Sequence, residues 1–260
     1  MQDYGLVSVI MPTYNCGRFI RESIQSVLAQ TYSQWELLIV DDCSTDDTES
    51  IVASFADNRI RYYRNEQNCG AAITRNRALR EAKGQWIAFL DSDDLWLSTK
   101  LEEQITFMER HQYAFSYHNY EEIDEQGTNL GVCVSGKQHV RKWDMYCCCW
   151  PGCLSVMYDA HIIGQIQIAD IRKNNDTAMW LQIIKKADCY LLPETLAYYR
   201  RRQGSITPTN IYSKIKWHYI LFHQGQNMNA IYAVFWMCMN IIGNSYKKIF
   251  YIKHHHTDSQ

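Results

Sequence analysis

Residues 86–96 read WIAFLDSDDLW: the apolar run Trp86-Ile87-Ala88-Phe89-Leu90 leads straight into Asp91-Ser92-Asp93-Asp94. An unbroken apolar run of this length, ended by polar residues, describes a buried strand. Such strands belong to sheets covered by helices on both faces. The chain then sets three carboxylates within four positions at the strand's end. Like charges crowded beside a core are costly unless a cation meets them. The identity of that cation is the question the sequence poses.

Working outward, the same alternation recurs. Leu6–Met11 is a β-rich run closed by Pro12, and Ile20, Ile24, Val27 and Leu28 then repeat at helical spacing. Leu37–Val40 is a second buried strand. Ser44 or Thr45 offers a cap for a helix with Asp46 and Asp47 in its first turn. Ile60–Tyr63 is a third short strand. A helix is predicted over 71–82, stopping at Gly84. Beyond the acidic cluster, Leu97, Leu101, Ile105 and Met108 line one face of another helix. Strands alternating with helices predict an α/β fold, a mostly parallel sheet flanked by helices. Ligands of such sheets gather at the carboxyl ends of the strands. Three polar clusters sit at those ends and should face one crevice: Pro12-Thr13-Tyr14-Asn15, Asp41-Asp42-Cys43-Ser44 and Asp91-Ser92-Asp93-Asp94.

After about residue 115 the pattern loosens. Residues 121–136 read as a hairpin or loop. Residues 177–187 read as a helix with Trp180, Ile183, Ile184 and Ala187 on one side. Pro193–Tyr199 looks extended, Arg200–Ser205 is a basic loop, and the remainder is helical. No repeat or low-complexity linker interrupts the chain.

The 260 residues suit one α/β domain with an appendage, or two small domains, and 47% apolar content supplies a sizeable core. A net charge of −2 predicts no nucleic-acid partner, since such binders usually carry a basic face. The 18 tyrosines and 8 tryptophans suit sugar-stacking surfaces and tyrosine-rich cores equally. Ten cysteines include Cys147-Cys148-Cys149 and nearby Cys153, but no C-x-x-C spacing and no opening secretory signal. Reduced thiols of a cytoplasmic protein are the simplest reading. The apolar run Ala230–Ile242 falls short of the roughly 20 residues of a membrane span. It lies among Lys214, Lys216, Lys247, Lys248 and Lys253. Such a helix either rests on an anionic membrane surface or packs as an ordinary C-terminal helix.

Asp91 and Asp93 are two residues apart, so in extended backbone both point the same way. The pair can help hold Mg²⁺ or Mn²⁺, which favour oxygen ligands and often share them with substrate phosphates. A solvated acidic turn is the alternative. Asp42 suits a hydrogen bond from a nucleobase N–H, or a simple turn before a helix. Tyr14, at the end of the first strand, is placed to stack on a base.

Residues 7–48, VSVIMPTYNCGRFIRESIQSVLAQTYSQWELLIVDDCSTDDT, and residues 68–96, NCGAAITRNRALREAKGQWIAFLDSDDLW, resemble the inverting family 2 glycosyltransferases of GT-A fold. The likeness is dense from residue 6 to about 110 and continues in patches to about 207. It implies a GT-A catalytic domain over 1–207, with a nucleotide-binding half over 1–112 and an acceptor half over 113–207. Residues 208–260 would form a helical C-terminal extension associated with a membrane. By this resemblance Pro12, Thr13 and Tyr14 cradle the base, Asp42 reads uracil, and Arg75 lies near the nucleotide. Asp91, Ser92 and Asp93 form the D-x-D, Asp91 toward the ribose and Asp93 toward the metal. Asp176 matches the general base, with Trp180 on the following helix at the acceptor. A helix start at Thr177 would also make Asp176 an N-cap. Three departures stand out. Asn175 replaces a Glu, and Cys43 replaces a Gly that a positive φ would favour. Arg202 stands in place of a metal- or phosphate-facing His, and its guanidinium suits a diphosphate.

The runs Trp180–Lys185, Leu196–Arg200 and Lys216–Tyr219 look like bacterial O-antigen enzymes. The resemblance therefore implies Mn²⁺- or Mg²⁺-dependent transfer of glucose or galactose from a UDP-hexose. The acceptor would be a GlcNAc- or GalNAc-diphosphate-lipid and the bond a β-linkage, β1,3, in O-antigen or surface polysaccharide synthesis. The place would be the cytoplasm, at the inner face of the cell membrane. A catalytically inactive sugar-nucleotide-binding relative is one alternative. A sugar nucleotidyltransferase is another, though Pro12–Gly17 lacks its glycine-rich loop. The G-x-G-x-x-G of a dinucleotide oxidoreductase is missing too.

Overall fold

The computed structural model describes residues 2–202 and 210–254. Gln203–Ser205 of the basic loop and the boundary drawn at 207 lie outside those residues. The first half runs β1 (Val7–Thr13), α1 (Gly17–Leu28), β2 (Trp35–Asp41), α2 (Thr48–Ala53), β3 (Ile60–Arg64), α3 (Ala71–Glu81) and β4 (Trp86–Phe89). The short β5 (Leu95–Trp96) and α4 (Lys100–His111) follow. The second half runs β6 (Phe115–Ile123), β7 (Asn129–Val134), β8 (His139–Val140), α5 (Lys142–Cys147), β9 (Met157–Asp159) and α6 (Ala160–Ile163). It closes with α7 (Asn175–Ile183), β10 (Cys189–Arg200), α8 (Ile211–His223), α9 (Ala230–Phe250) and β11 (Ile252–His254).

One sheet runs through the molecule in the order β11-β7-β6-β9-β4-β1-β2-β3, with β10, β5 and β8 joined to it beside β6. β1 pairs in parallel with β2 on one side and β4 on the other. Strand order therefore reverses at β1, and the crevice opens beyond its carboxyl end. Past β4 the sheet turns antiparallel through β9, β6 and β7; a short hairpin joins β6 to β7, while β9 enters between β4 and β6 after a long excursion through β7, β8 and α5. The expected hairpin at 121–136 is β6–β7.

Both faces of the parallel strands are buried, as the unbroken apolar runs require. Ile10, Leu38, Val40, Ile87 and Phe89 pack on one side with residues of α3 and α7. Val9, Met11, Leu37, Ile39 and Ala88 pack on the other with residues of α1 and α4. Pro12 continues β1 rather than ending it. The β1–β4 pairing stops at Ile10 and Phe89, so the N–H that proline lacks has no strand to serve. Neither Ser44 nor Thr45 caps α2, whose N-cap is Asp47. Instead Ser44 Oγ accepts from Asn15 N–H at 2.8 Å, and Asn15 Oδ1 accepts from Thr45 N–H at 2.8 Å. These bonds clamp the loop after β1 to the loop after β2.

Candidate active site

The three carboxylates after β4 are each met by an arginine from elsewhere in the chain. Arg75, on α3 and only 7% exposed, donates to Asp91 Oδ1 at 2.5 Å. Arg202 Nε lies 2.7 Å from Asp93 Oδ2. Asp94 is buried and accepts the backbone N–H of Arg200 at 2.9 Å. The Arg200 guanidinium donates to the Asp93 carbonyl at 2.9 Å and to Glu22 at 2.6 Å. The crowding legible in FLDSDDLW is thus resolved by arginines of the protein itself.

Burial pushes the Asp93 carboxyl up; Arg202 opposes this and Asp91 adds to it. For Asp94, burial and then the charges of Asp93 and Asp91 push the carboxyl well above the ordinary carboxylate range. Burial works against the charge on Arg75. The carboxylates of Asp91 and Asp176 outweigh it and hold the guanidinium above the ordinary arginine value.

Arg75 also reaches the second half of the molecule. Its Nη1 donates to Asn175 Oδ1 at 2.8 Å, at the first residue of α7. Asp176 is therefore brought beside the carboxylates that follow β4. It does not cap α7: the N-cap is Asn174, in the left-handed region at φ 57°. Asp176 Oδ1 accepts the N–H of Thr177 at 2.7 Å, while Oδ2 accepts nothing from the described residues. The carboxylate is fixed by one oxygen and open at the other.

Asp42, at the end of β2, accepts three hydrogen bonds, from Asn65 Nδ2 (2.8 Å), Cys69 N–H (2.8 Å) and Gly70 N–H (2.7 Å). It ties down the turn before α3, where Gly70 takes φ 85°. A carboxylate has about four acceptor sites, so one stays open. Pro12 and Thr13 end β1 at the crevice. The Thr13 hydroxyl is buried with no partner among the described residues, and Tyr14 beside it is 47% exposed. Ser92 is buried between the two carboxylates of the D-x-D. Cys43 takes φ 69°, so the position does favour the glycine that cysteine replaces.

Trp180 corrects an expectation. It is fully buried, its ring packed edge-on to Phe89 at 5.2 Å, and it does not line the crevice. The apolar side of α7 is core. Arg200, Glu22 and Asn65 were not anticipated. Arg200 lies within the run Tyr199–Arg202 that carries the resemblance. Asn65 directly follows β3, at the carboxyl end of a parallel strand where ligand-facing residues are expected.

Among the described residues no three His, Cys, Asp or Glu side chains form a metal cage. Asp93 offers one carboxylate, and Mg²⁺-type sites are often completed by substrate phosphates. The donor set therefore fits a cation that arrives with phosphate ligands rather than a resident one.

A crevice at the reversal of a GT-A-type sheet, lined by paired acids and arginines with an open carboxylate across it, is the architecture of sugar-nucleotide transferases. The chain belongs to glycosyl transferase family 2: the model of that family, described as "Glycosyl transferase family 2", matches residues 8–151. It is 38% identical over 246 residues to TuaG of Bacillus subtilis (strain 168), named as a teichuronic acid biosynthesis glycosyltransferase, covering 94% of this chain and 97% of TuaG. It is 44% identical over 185 residues to WfgD of Escherichia coli, covering 71% of this chain and 72% of WfgD. WfgD is named as a UDP-Glc:alpha-D-GlcNAc-diphosphoundecaprenol beta-1,3-glucosyltransferase. Among solved structures, S. aureus TarS 1–349 with UDP-GlcNAc matches with a TM-score of 0.72 at 20% identity, covering 94% of this chain and 74% of TarS. That likeness is one of fold.

Proposed function

We propose that this glycosyltransferase moves a hexose from a UDP-sugar to a sugar-diphosphate-lipid with inversion, forming a β-linkage. Glucose onto a GlcNAc-diphosphate-lipid, β1,3-linked, is the version the printed activity of WfgD supports. The observation that carries the reading is the Arg75 bridge. One guanidinium bonds Asp91 on the donor side and Asn175 beside Asp176 on the acceptor side. The open Oδ2 of Asp176 accepts the proton of the acceptor hydroxyl as its oxygen attacks the anomeric carbon. Attack from the face opposite the leaving group inverts an α-linked donor. Arg202 supplies charge to the departing diphosphate, and Asp42 and Tyr14 hold the base. Asp93, with the substrate phosphates, would hold Mn²⁺ or Mg²⁺, which when bound adds to the stabilisation of the leaving group.

Asp176→Asn tests the assignment. Loss of the base lowers turnover by about 10²–10⁴-fold while UDP binding survives. Near-normal release of UDP, measured with a UDP-hexose and a GlcNAc-diphosphate-lipid analogue, would remove Asp176 from the mechanism. UDP-sugar binding by the native chain without any acceptor-dependent release would favour the inactive relative.

The same reading places the enzyme on the inner face of the cell membrane, attached through α8 and α9. No described helix is long and apolar enough to cross a membrane. Attachment would be peripheral, through a helix lying in the interface.

A further inference from the structure

We propose that Arg202 holds the cation's place at Asp93 in the free enzyme, so that a divalent metal enters only together with the nucleoside diphosphate. The inference rests on reading the crevice as a sugar-nucleotide site and names how that site is loaded. Three observations carry it. First, Arg202 Nε lies 2.7 Å from Asp93 Oδ2, in the carboxylate that the resemblance turns toward the metal. Its Nη1 lies 3.8 Å from Cys16 Sγ at the start of α1, so the side chain is folded into the crevice rather than out to solvent. Second, both carboxylates of the D-x-D already face a cation of the protein, Asp91 with Arg75 and Asp93 with Arg202. A lone dication at Asp93 would meet the Arg202 guanidinium at close range, and the repulsion is strong where water is scarce. A diphosphate diester is a dianion, so it and a dication add no net charge together. Third, a phosphate offers guanidinium the same bidentate geometry as a carboxylate. Arriving phosphates can therefore draw Arg202 off Asp93 and leave that oxygen to the metal.

The test is titration of Mn²⁺ against the intact protein, followed by the EPR signal of the free ion, with and without UDP. Arg202→Ala, Arg202→Gln and Arg202→Ala/Asp93→Asn are run alongside, with thermal melts to check folding. The native protein should leave Mn²⁺ free until UDP is added. Arg202→Ala and Arg202→Gln should bind Mn²⁺ alone at least about tenfold more tightly than the native chain. The added Asp93→Asn change should erase that gain. Equal Mn²⁺ affinity of the native chain and both single variants would overturn the proposal while leaving the sugar-nucleotide reading intact. A native chain that binds UDP yet never takes up Mn²⁺ would overturn both the proposal and the metal-assisted part of that reading. No UDP binding at all would overturn the function itself.

Discussion

Two residues of the crevice carry stability costs that can be measured. Cys43 sits at φ 69° in the loop between β2 and α2. A side chain there meets the steric penalty of left-handed backbone, about 1–2 kcal/mol, against which glycine's entropic cost must be set. Cys43→Gly should raise stability by up to about 1 kcal/mol in urea unfolding; a loss would mean the thiol makes a contact worth more than the strain. Asp94 is the second case. Its folded-state carboxyl is raised, first by burial and then by Asp93 and Asp91. The folded protein therefore holds this proton where the unfolded chain has lost it, so the group lowers stability as pH rises above the ordinary aspartate range. Asn mimics the protonated acid and can still accept the Arg200 N–H. Asp94→Asn should melt above the native chain at pH 7, with the gap closing toward pH 4. A gap that widens on acidification would reverse the assigned sign.

At the scale of elements, α9 turns Ala233, Trp236 and Met237 to the core, yet it buries polar residues and exposes apolar ones as well. Its buried positions include Asn240 and Lys247, which donate to the carbonyls of Tyr146 at 2.9 Å and of Trp150 at 2.6 Å. Gly243 lets the helix approach α5, since a Cβ there would lie 2.0 Å from the Cys147 carbonyl oxygen. Other apolar side chains face outward: Ile231 (82% exposed), Phe235, Ile242, Tyr246 and Ile249 (73%) share one helical stripe, and α8 exposes Ile211, Tyr212 and Ile215 too. Water gives no reason for such an arrangement, and an interface between headgroups and acyl chains does. Co-sedimentation with anionic phosphatidylglycerol vesicles should fall about tenfold or more in an Ile231→Glu/Ile242→Glu variant, one buried apolar side chain being worth about 1.5–3 kcal/mol. Undiminished binding, or a dimer of the native chain that the variant breaks, would reassign the stripe. The sequence showed the apolar run and its flanking lysines, but not which face Asn240 and Lys247 would take. Periodicity identifies an apolar stripe without saying whether protein or lipid covers it. Trp180 carries a related ambiguity. A large aromatic on a helix face fits a sugar platform and a core equally, and only the packing of Phe89 against it decides.

Across the whole molecule, the strand-end clusters were legible because chain direction fixes where parallel strands end, whatever the loops do. What joins them was not, because Arg75 bonds Asn175 across 100 positions of sequence. The nucleotide half expected up to 112 and the acceptor half expected after it share one sheet. β4 is flanked by β1 from the first half and β9 from the second. Among the described residues β5, from the first half, pairs with β10 from the second. Cutting at 112 would bare the β4 edge and the apolar faces of Phe89 and Trp96, both buried in the intact chain. Unpaired edges and exposed apolar faces of this kind aggregate rather than fold. The intact protein should therefore melt in one calorimetric transition through the sheet, and a fragment ending at 112 should give no cooperative melt. A folded 1–112 fragment that binds UDP with native affinity would show that the two halves are domains after all. Asp176 would then be positioned by docking rather than by a shared sheet.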